Sequence, residues 1–185
     1  MPFPAFLDAC VLIPIRLTDL LLRLAEAGTY RALWSDEVLG EVERNLVGRF
    51  GLEPVQAKRR LAGMRSAFPD ARITGYETLV PAMTNHPKDR HVLAAAARAN
   101  AAVIVTANLK DFPASALESY QIEAVHPDDF LLDQLELYPA ATLRCLREQV
   151  GALERPPESL SEFLERFERT VPGFSKESRR LLDRR

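Results

Sequence analysis

The chain has 185 residues, enough for one α/β domain with an appendage and too few for two full-sized domains. Hydrophobic residues make up 47% and charged residues 27%, which is a globular composition and not a disordered one. Lys and Arg number 24 against 26 Asp and Glu, a formal net charge of −2 that excludes a broadly basic nucleic-acid coat but not a local basic patch.

Phe3–Leu7 is short, apolar and followed by Asp8, the pattern of a buried strand. Thr18–Ala27 carries leucines at 20, 21 and 24 and stops at Gly28, which predicts a helix. Tyr30–Trp34 is a second short strand. Ser35 then caps a helix with Val38, Leu39, Val42, Leu46 and Val47 on its apolar face. Pro54 opens a further helix reaching about Ala67. Asp70–Tyr76 and Thr78–Val80 read as short strand or loop, and Asn85–Lys88 as a polar turn. A helical, alanine-rich register begins at Asp89 and runs through Asn100. Ala102–Val105 is continuous and β-branched, the mark of a central parallel strand, and Ile122–Val125 is another short strand. This alternation predicts a parallel sheet with helices on both faces.

Beyond Tyr138-Pro139 no strand candidate remains. Residues 140–151, 159–170 and 175–184 predict three short helices, separated by Pro156-Pro157 and Pro172-Gly173. Charge divides at the same place: residues 1–139 hold 14 basic against 18 acidic side chains, and residues 140–185 hold 10 against 8. The expected organisation is therefore an α/β domain over 1–138 and an all-helical C-terminal extension over 139–185. Two distant cysteines, Cys10 and Cys145, fit a reduced setting. The first residues lack a basic n-region with a following apolar run, and no stretch approaches the roughly 18 apolar residues of a membrane span. A cytoplasmic protein with no membrane association is the expectation. Three histidines and two cysteines disfavour a zinc site, so oxygen ligands are expected for any metal.

Asp8 follows the first strand, Asp89 opens the alanine-rich helix, and Asn108 and Asp111 follow the Ala102–Val105 strand. In a parallel sheet such positions converge at the carboxyl edge, and Glu41 could reach that edge from its helix. Carboxylates crowded there raise one another's pKa unless a cation offsets them. Mg²⁺ or Mn²⁺, with oxygen ligands and retained waters, suits the set, and its common task is phosphodiester hydrolysis.

Four segments carry a resemblance. They are Phe6-Leu7-Asp8-Ala9-Cys10-Val11-Leu12, Ser35-Asp36-Glu37-Val38-Leu39-Gly40-Glu41-Val42, Lys88-Asp89-Arg90-His91-Val92-Leu93-Ala94-Ala95-Ala96, and Val103-Ile104-Val105-Thr106-Ala107-Asn108-Leu109-Lys110-Asp111-Phe112-Pro113. In this order and spacing the chain resembles PIN-domain ribonucleases, in particular VapC-type toxins of bacterial toxin–antitoxin pairs, over residues 3–130. Its tail resembles, more loosely, the helical extension of one subgroup. The resemblance implies a PIN-like three-layer fold and a Mg²⁺- or Mn²⁺-dependent endoribonuclease held in check by a cognate antitoxin, with homodimers expected. Asp8, Glu41 and Asp89 fall on the family's three acidic positions. Many members have an acid where this chain has Asn108, so either Asp111 takes its place or one ion suffices. The implied role of Thr106 is to orient a carboxylate or water through its hydroxyl.

The implied site is thus Asp8, Glu41, Asp89, Asn108, Asp111 and Thr106, with the metal on Asp8, Asp89, Glu41 and Asp111. Lys88, Arg90 and Lys110 are the candidates for holding RNA phosphates. Arg44, Arg49, Lys58, Arg59 and Arg60 form a second basic cluster, a backbone grip or a solvated face. His86 and His91 flank Asp89 and read as a surface turn and a helix face, and Cys10 as a small buried hydrophobe. Leu160, Phe163, Leu164 and Phe167 form an amphipathic stripe, and Arg179, Arg180, Arg184 and Arg185 a basic end. An antitoxin helix is expected in the groove between the Ser35–Phe50 and Glu53–Ala67 helices. The competing readings are a binding module whose acids are remnants and an RNA-processing nuclease outside toxin–antitoxin systems. An aspartate-nucleophile phosphatase is set aside because Cys10 stands where its second acid belongs, and a receiver domain because the acids are laid out otherwise.

Overall fold

The computed structural model describes residues 2–153 and 156–183. Its sheet has five parallel strands: β1 (Pro4–Leu7), β2 (Arg31–Ser35), β3 (Arg72–Ile73), β4 (Val103–Val105) and β5 (Glu123–Val125), in the order β3-β2-β1-β4-β5. β1 is central, with Ala5 opposite Ala32 on one side and Val103 on the other. It can be central because Ala5, Phe6 and Leu7 are apolar on both faces and fully buried. Pro4 starts the strand, the one interior position that tolerates a missing N–H donor. This is the expected three-layer α/β class.

By backbone contacts the chain divides into two compact units, Met1–Pro14 with Tyr30–Val125 and Ile15–Thr29 with His126–Arg185. The first holds the sheet, the single turn α1 (Ala9–Leu12), α3 (Asp36–Gly48), α4 (Pro54–Ala67), α5 (Arg90–Arg98) and the short α6 (Ala114–Leu117). Ser35 caps α3 by accepting from the Val38 N–H at 3.2 Å, as its sequence position predicts. Trp34 is fully buried, with Phe68 edge-on at 5.9 Å between centroids. Of the two ambiguous segments, the first holds a 3-10 turn and the two-residue β3. The second is a 3-10 turn over Glu77–Ala82.

The second unit contains α2 (Ile15–Glu26), α7 (Pro127–Leu137), α8 (Pro139–Gly151), α9 (Leu160–Phe167) and α10 (Pro172–Leu182). Three tail helices are thus present close to the expected ranges. α7 had no sequence-based expectation, and the 138/139 break lies between α7 and α8. Phe163, Phe167 and Phe174 meet in succession, tilted at 5.3 Å and edge-to-face at 6.1 Å between centroids, and are buried, which accounts for the apolar stripe of α9. Ser159 and Glu162 form a reciprocal capping box at the start of α9. Asp128 on α7 accepts from the Gly173 and Phe174 N–H groups at 2.9 and 2.8 Å, closing the start of α10. Gly173 lets α7 approach closely, since a Cβ there would stand 3.0 Å from both Asp128 Oδ2 and Leu132 Cδ1. Arg179 pairs with Glu168 and Arg180 with Glu177, while Arg184 and Arg185 lie outside the described residues.

Candidate active site

The chain runs from β1 outward through β2 and β3, then returns to build β4 and β5 on the other side. The reversal lies between β1 and β4, where the carboxyl ends of parallel strands open a crevice. Asp8 leaves β1 at that point and Thr106 leaves β4. The Thr106 hydroxyl donates to Asp8 Oδ2 at 2.7 Å, and the Ala9 N–H donates to Oδ1 at 2.7 Å. Asp8 therefore caps α1 while its orientation is fixed across the crevice. The Asn108 N–H donates to Thr106 Oγ1 at 3.0 Å, so this hydroxyl also shapes the following turn. The Asn108 side chain does not cap that turn.

Cys10 is more than a small hydrophobe. Its thiol donates to Asp8 Oδ2 at 3.2 Å and its sulfur accepts from the Ala107 N–H at 3.3 Å. Burial first, and then the Asp8 charge, push the thiol up to about 12, so it stays a neutral donor.

Asp89 occupies the N-cap position of α5 but makes no capping hydrogen bond. It is 5% exposed, and its Oδ2 has no hydrogen-bond partner. An orphan carboxylate oxygen in a buried position is costly unless something else engages it. Burial pushes the Asp89 carboxyl up, Asp8 and Asp111 push the same way, Lys88 opposes them, and Glu41 adds to the rise. All three other predicted acids thus act on Asp89. Asp111, half-buried at the end of a 3-10 turn, and His86 bring their ligand atoms within 4.8 Å of one another and of Asp89. This donor set fits a divalent cation: a buried anionic oxygen without a partner, further carboxylates close by and an imidazole at the rim.

Glu41 is held by a neighbour whose role the sequence did not show. His91 is buried, and its Nε2 lies 3.1 Å from Glu41 Oε1 while its Nδ1 lies 3.7 Å from Glu37 Oε2. Glu37 and Glu41 are one turn apart on α3, so one imidazole spans both. Tyr76 donates its hydroxyl to Glu37 at 3.4 Å. The pairing with His91 pulls Glu41 down against the effect of burial, helped by Lys88 and Arg44. Burial acts to lower His91, but Glu41 and Glu37 outweigh it and leave the imidazole raised. The helix-face reading of His91 is corrected on this geometry. The available signal was the i, i+4 acid pair on α3 facing a histidine in the alanine-rich helix.

With this geometry in hand, comparison with known proteins is decisive on one point. Residues 4–110, more than half of the chain, match the PIN domain. The chain belongs to the PIN-domain family. Residues 127–180 match the VapC50 C-terminal domain. A protein of Mycobacterium tuberculosis (strain H37Rv) named "Putative ribonuclease VapC50" is 54% identical over 119 residues, which cover 64% of this chain and 68% of that protein. No solved structure matches.

Around the acids of the PIN domain, the basic residues separate by role. Lys88 is exposed and close enough to act on both Asp89 and Glu41, and Lys110 is exposed in the turn that ends at Asp111. Arg90 is half-buried and donates its Nε to the Asn85 carbonyl at 3.4 Å. In the second cluster Arg60 departs from the others. It donates to the carbonyls of Leu12 and Ile13 at 2.7 and 3.1 Å and so closes the C-terminal end of α1. Arg49 lies over the exposed ring of Phe50, and Lys58 and Arg59 are exposed on α4. Among the described residues no helix is long and apolar enough to cross a membrane.

Proposed function

We propose that this PIN-domain protein is a Mg²⁺- or Mn²⁺-dependent endoribonuclease and the toxin of a toxin–antitoxin pair. One observation carries the reading: the buried, unpartnered Asp89 oxygen beside Asp8, Glu41 and Asp111 at the reversal of the sheet. Asp8, Glu41, Asp89 and Asp111 would hold the ion, and Thr106 fixes the Asp8 carboxylate that faces it. The ion, when bound, neutralises these acids and acidifies a water for attack on a phosphodiester. Asn108 can add a neutral amide oxygen but no charge. Lys88 and Lys110 are free to meet phosphates at the rim, which the net acidic chain otherwise repels. The 54% identity to a protein named as a ribonuclease supports the RNA substrate.

The antitoxin is proposed to dock a helix along α3 and α4, where Phe50 and Val55 stand exposed at the connection, and to place a cation against the acids. The protein is proposed to act in the cytoplasm as a homodimer. Cleavage of RNA by the purified chain is expected to stop in EDTA, return with Mn²⁺ and vanish in Asp8→Ala. Full activity of Asp8→Ala would sink the assignment. A second reading, a binding module with remnant acids, rests on Asn108, and absence of calorimetric Mn²⁺ binding at millimolar concentration would select it. Growth arrest on expression, relieved by a small reading frame from immediately upstream, tests the toxin role apart from the chemistry.

A further inference from the structure

We propose that His86 joins Asp89 and Asp111 as a ligand, making a mixed nitrogen–oxygen cation site that favours Mn²⁺ over Mg²⁺. The inference rests on the metal-dependent reading above and adds a ligand and a preference to it. One backbone hydrogen bond joins the two loops that carry these residues, and a backbone bond closes each loop. The His86 N–H donates to the Asp111 carbonyl at 3.1 Å, the Asp89 N–H to the His86 carbonyl at 2.9 Å, and the Asp111 N–H to the Asn108 carbonyl at 2.9 Å. Asn85 is buried and donates Nδ2 to the Asp89 carbonyl at 3.0 Å, fixing the turn from its other side. Pro87 holds His86 in an extended conformation, φ −50° and ψ 130°. The three side chains therefore meet because the backbone holds them there, and not because their charges attract.

The distances fit shared ligation better than direct contact. His86 Nδ1 stands 3.7 Å from Asp89 Oδ2, too far for a hydrogen bond, and that oxygen is the buried one without a partner. Two ligands of one ion with bonds of about 2.1 Å lie roughly 3 to 4.2 Å apart; the 3.7 Å between His86 Nδ1 and Asp89 Oδ2 falls in that range, and all three ligand atoms lie within 4.8 Å of one another, close enough for small side-chain shifts to complete the set. Mg²⁺ prefers an all-oxygen octahedron, whereas an imidazole donor suits first-row transition ions. Replacing one oxygen ligand by His86 thus costs Mg²⁺ more than Mn²⁺.

The test is calorimetric titration of the full chain with Mn²⁺ and, separately, Mg²⁺, with electron spin-echo spectroscopy of the Mn²⁺ form. In His86→Ala the Mn²⁺ Kd is expected to rise about tenfold or more, the Mg²⁺ Kd to change much less, and the ¹⁴N modulation of the Mn²⁺ echo to disappear. His86→Asp is expected to reverse the preference toward Mg²⁺. His86→Ala should melt with the wild type, because the His86 side chain is 53% exposed, and metal-free His86→Asp somewhat lower, because it adds a carboxylate beside Asp89 and Asp111. Unchanged Mn²⁺ affinity or persistent ¹⁴N modulation in His86→Ala overturns the proposal and leaves the carboxylate metal site standing. A wild-type chain that binds neither ion overturns both.

Discussion

The two units treat their acids in opposite ways. In the helical unit Glu158, with a side chain 4% exposed, lies between Arg16 at 2.7 Å and Arg166 at 2.7 Å. Asp128 spends both oxygens on backbone N–H groups. In the sheet unit Asp89 is equally buried, yet one oxygen has no hydrogen-bond partner and its charged neighbours are mostly acids. An acid kept for structure is surrounded by donors, and an acid kept for a ligand is left short of them. The contrast supports the proposed site without appeal to kinship.

The sharpest way to break that contrast is Asp89→Asn. Cleavage is expected to fall by roughly 100-fold or more, while the metal-free protein melts higher, since a neutral amide relieves crowding with Asp8, Asp111 and Glu41. A lower melting temperature would place Asp89 with the structural acids. Glu158→Gln should do the reverse, costing about 2 kcal/mol in a denaturant titration and leaving the cleavage rate at low temperature unchanged. That cost is below the penalty for a fully buried pair because both arginines are partly exposed. Asp128→Ala removes the cap of α10 and is expected to cost about 1 kcal/mol, again without effect on cleavage.

The smallest effect concerns His91, read from melting temperature against pH for wild type and His91→Gln. A raised His91 gives stability that is full below the ordinary histidine pKa and is lost as pH rises through the raised value. A lowered Glu41 gives stability that is present above the ordinary glutamate pKa and is lost as pH falls through the lowered value. The wild-type advantage should therefore peak between these limits, in mildly acidic solution, and shrink on the alkaline side. A pH-independent difference would show that His91 acts by packing alone.

How far the sequence could be read follows the same division. Buried strands and capped helices announce themselves locally, so β1, β4, α3 and α4 were legible from apolar runs, Ser35 and Pro54. Asp8, Asp89 and Asp111 were expected together because residues after parallel strands and at the starts of the next helices converge, whereas Glu41 was selected by the family resemblance. The orientation of Asp8 by Thr106 depends on a contact across 98 positions, and the grip of His91 on Glu41 on one across 50, and no local pattern carries either. α7 escaped because His126, an uncommon cap, precedes it, although Pro127 in its first turn and the acids Asp128 and Asp129 were signals of a start. The membership of α2 in the helical unit could not be read, since its leucine face looks the same whichever partner covers it.

That membership has a consequence during synthesis. The apolar face of α2, with Leu17, Leu20, Leu21 and Leu24 all buried in the finished protein, leaves the ribosome long before α8, the helix it packs against. At ordinary translation rates the interval from Glu26 to Pro139 is on the order of ten seconds, during which those leucines lack their native cover. A message truncated near Val125 would encode every strand of the sheet and still leave this face without α8. The C-terminal helices are in this sense a completeness check on the polypeptide: the early helix finds its place only when the last third of the chain has been made.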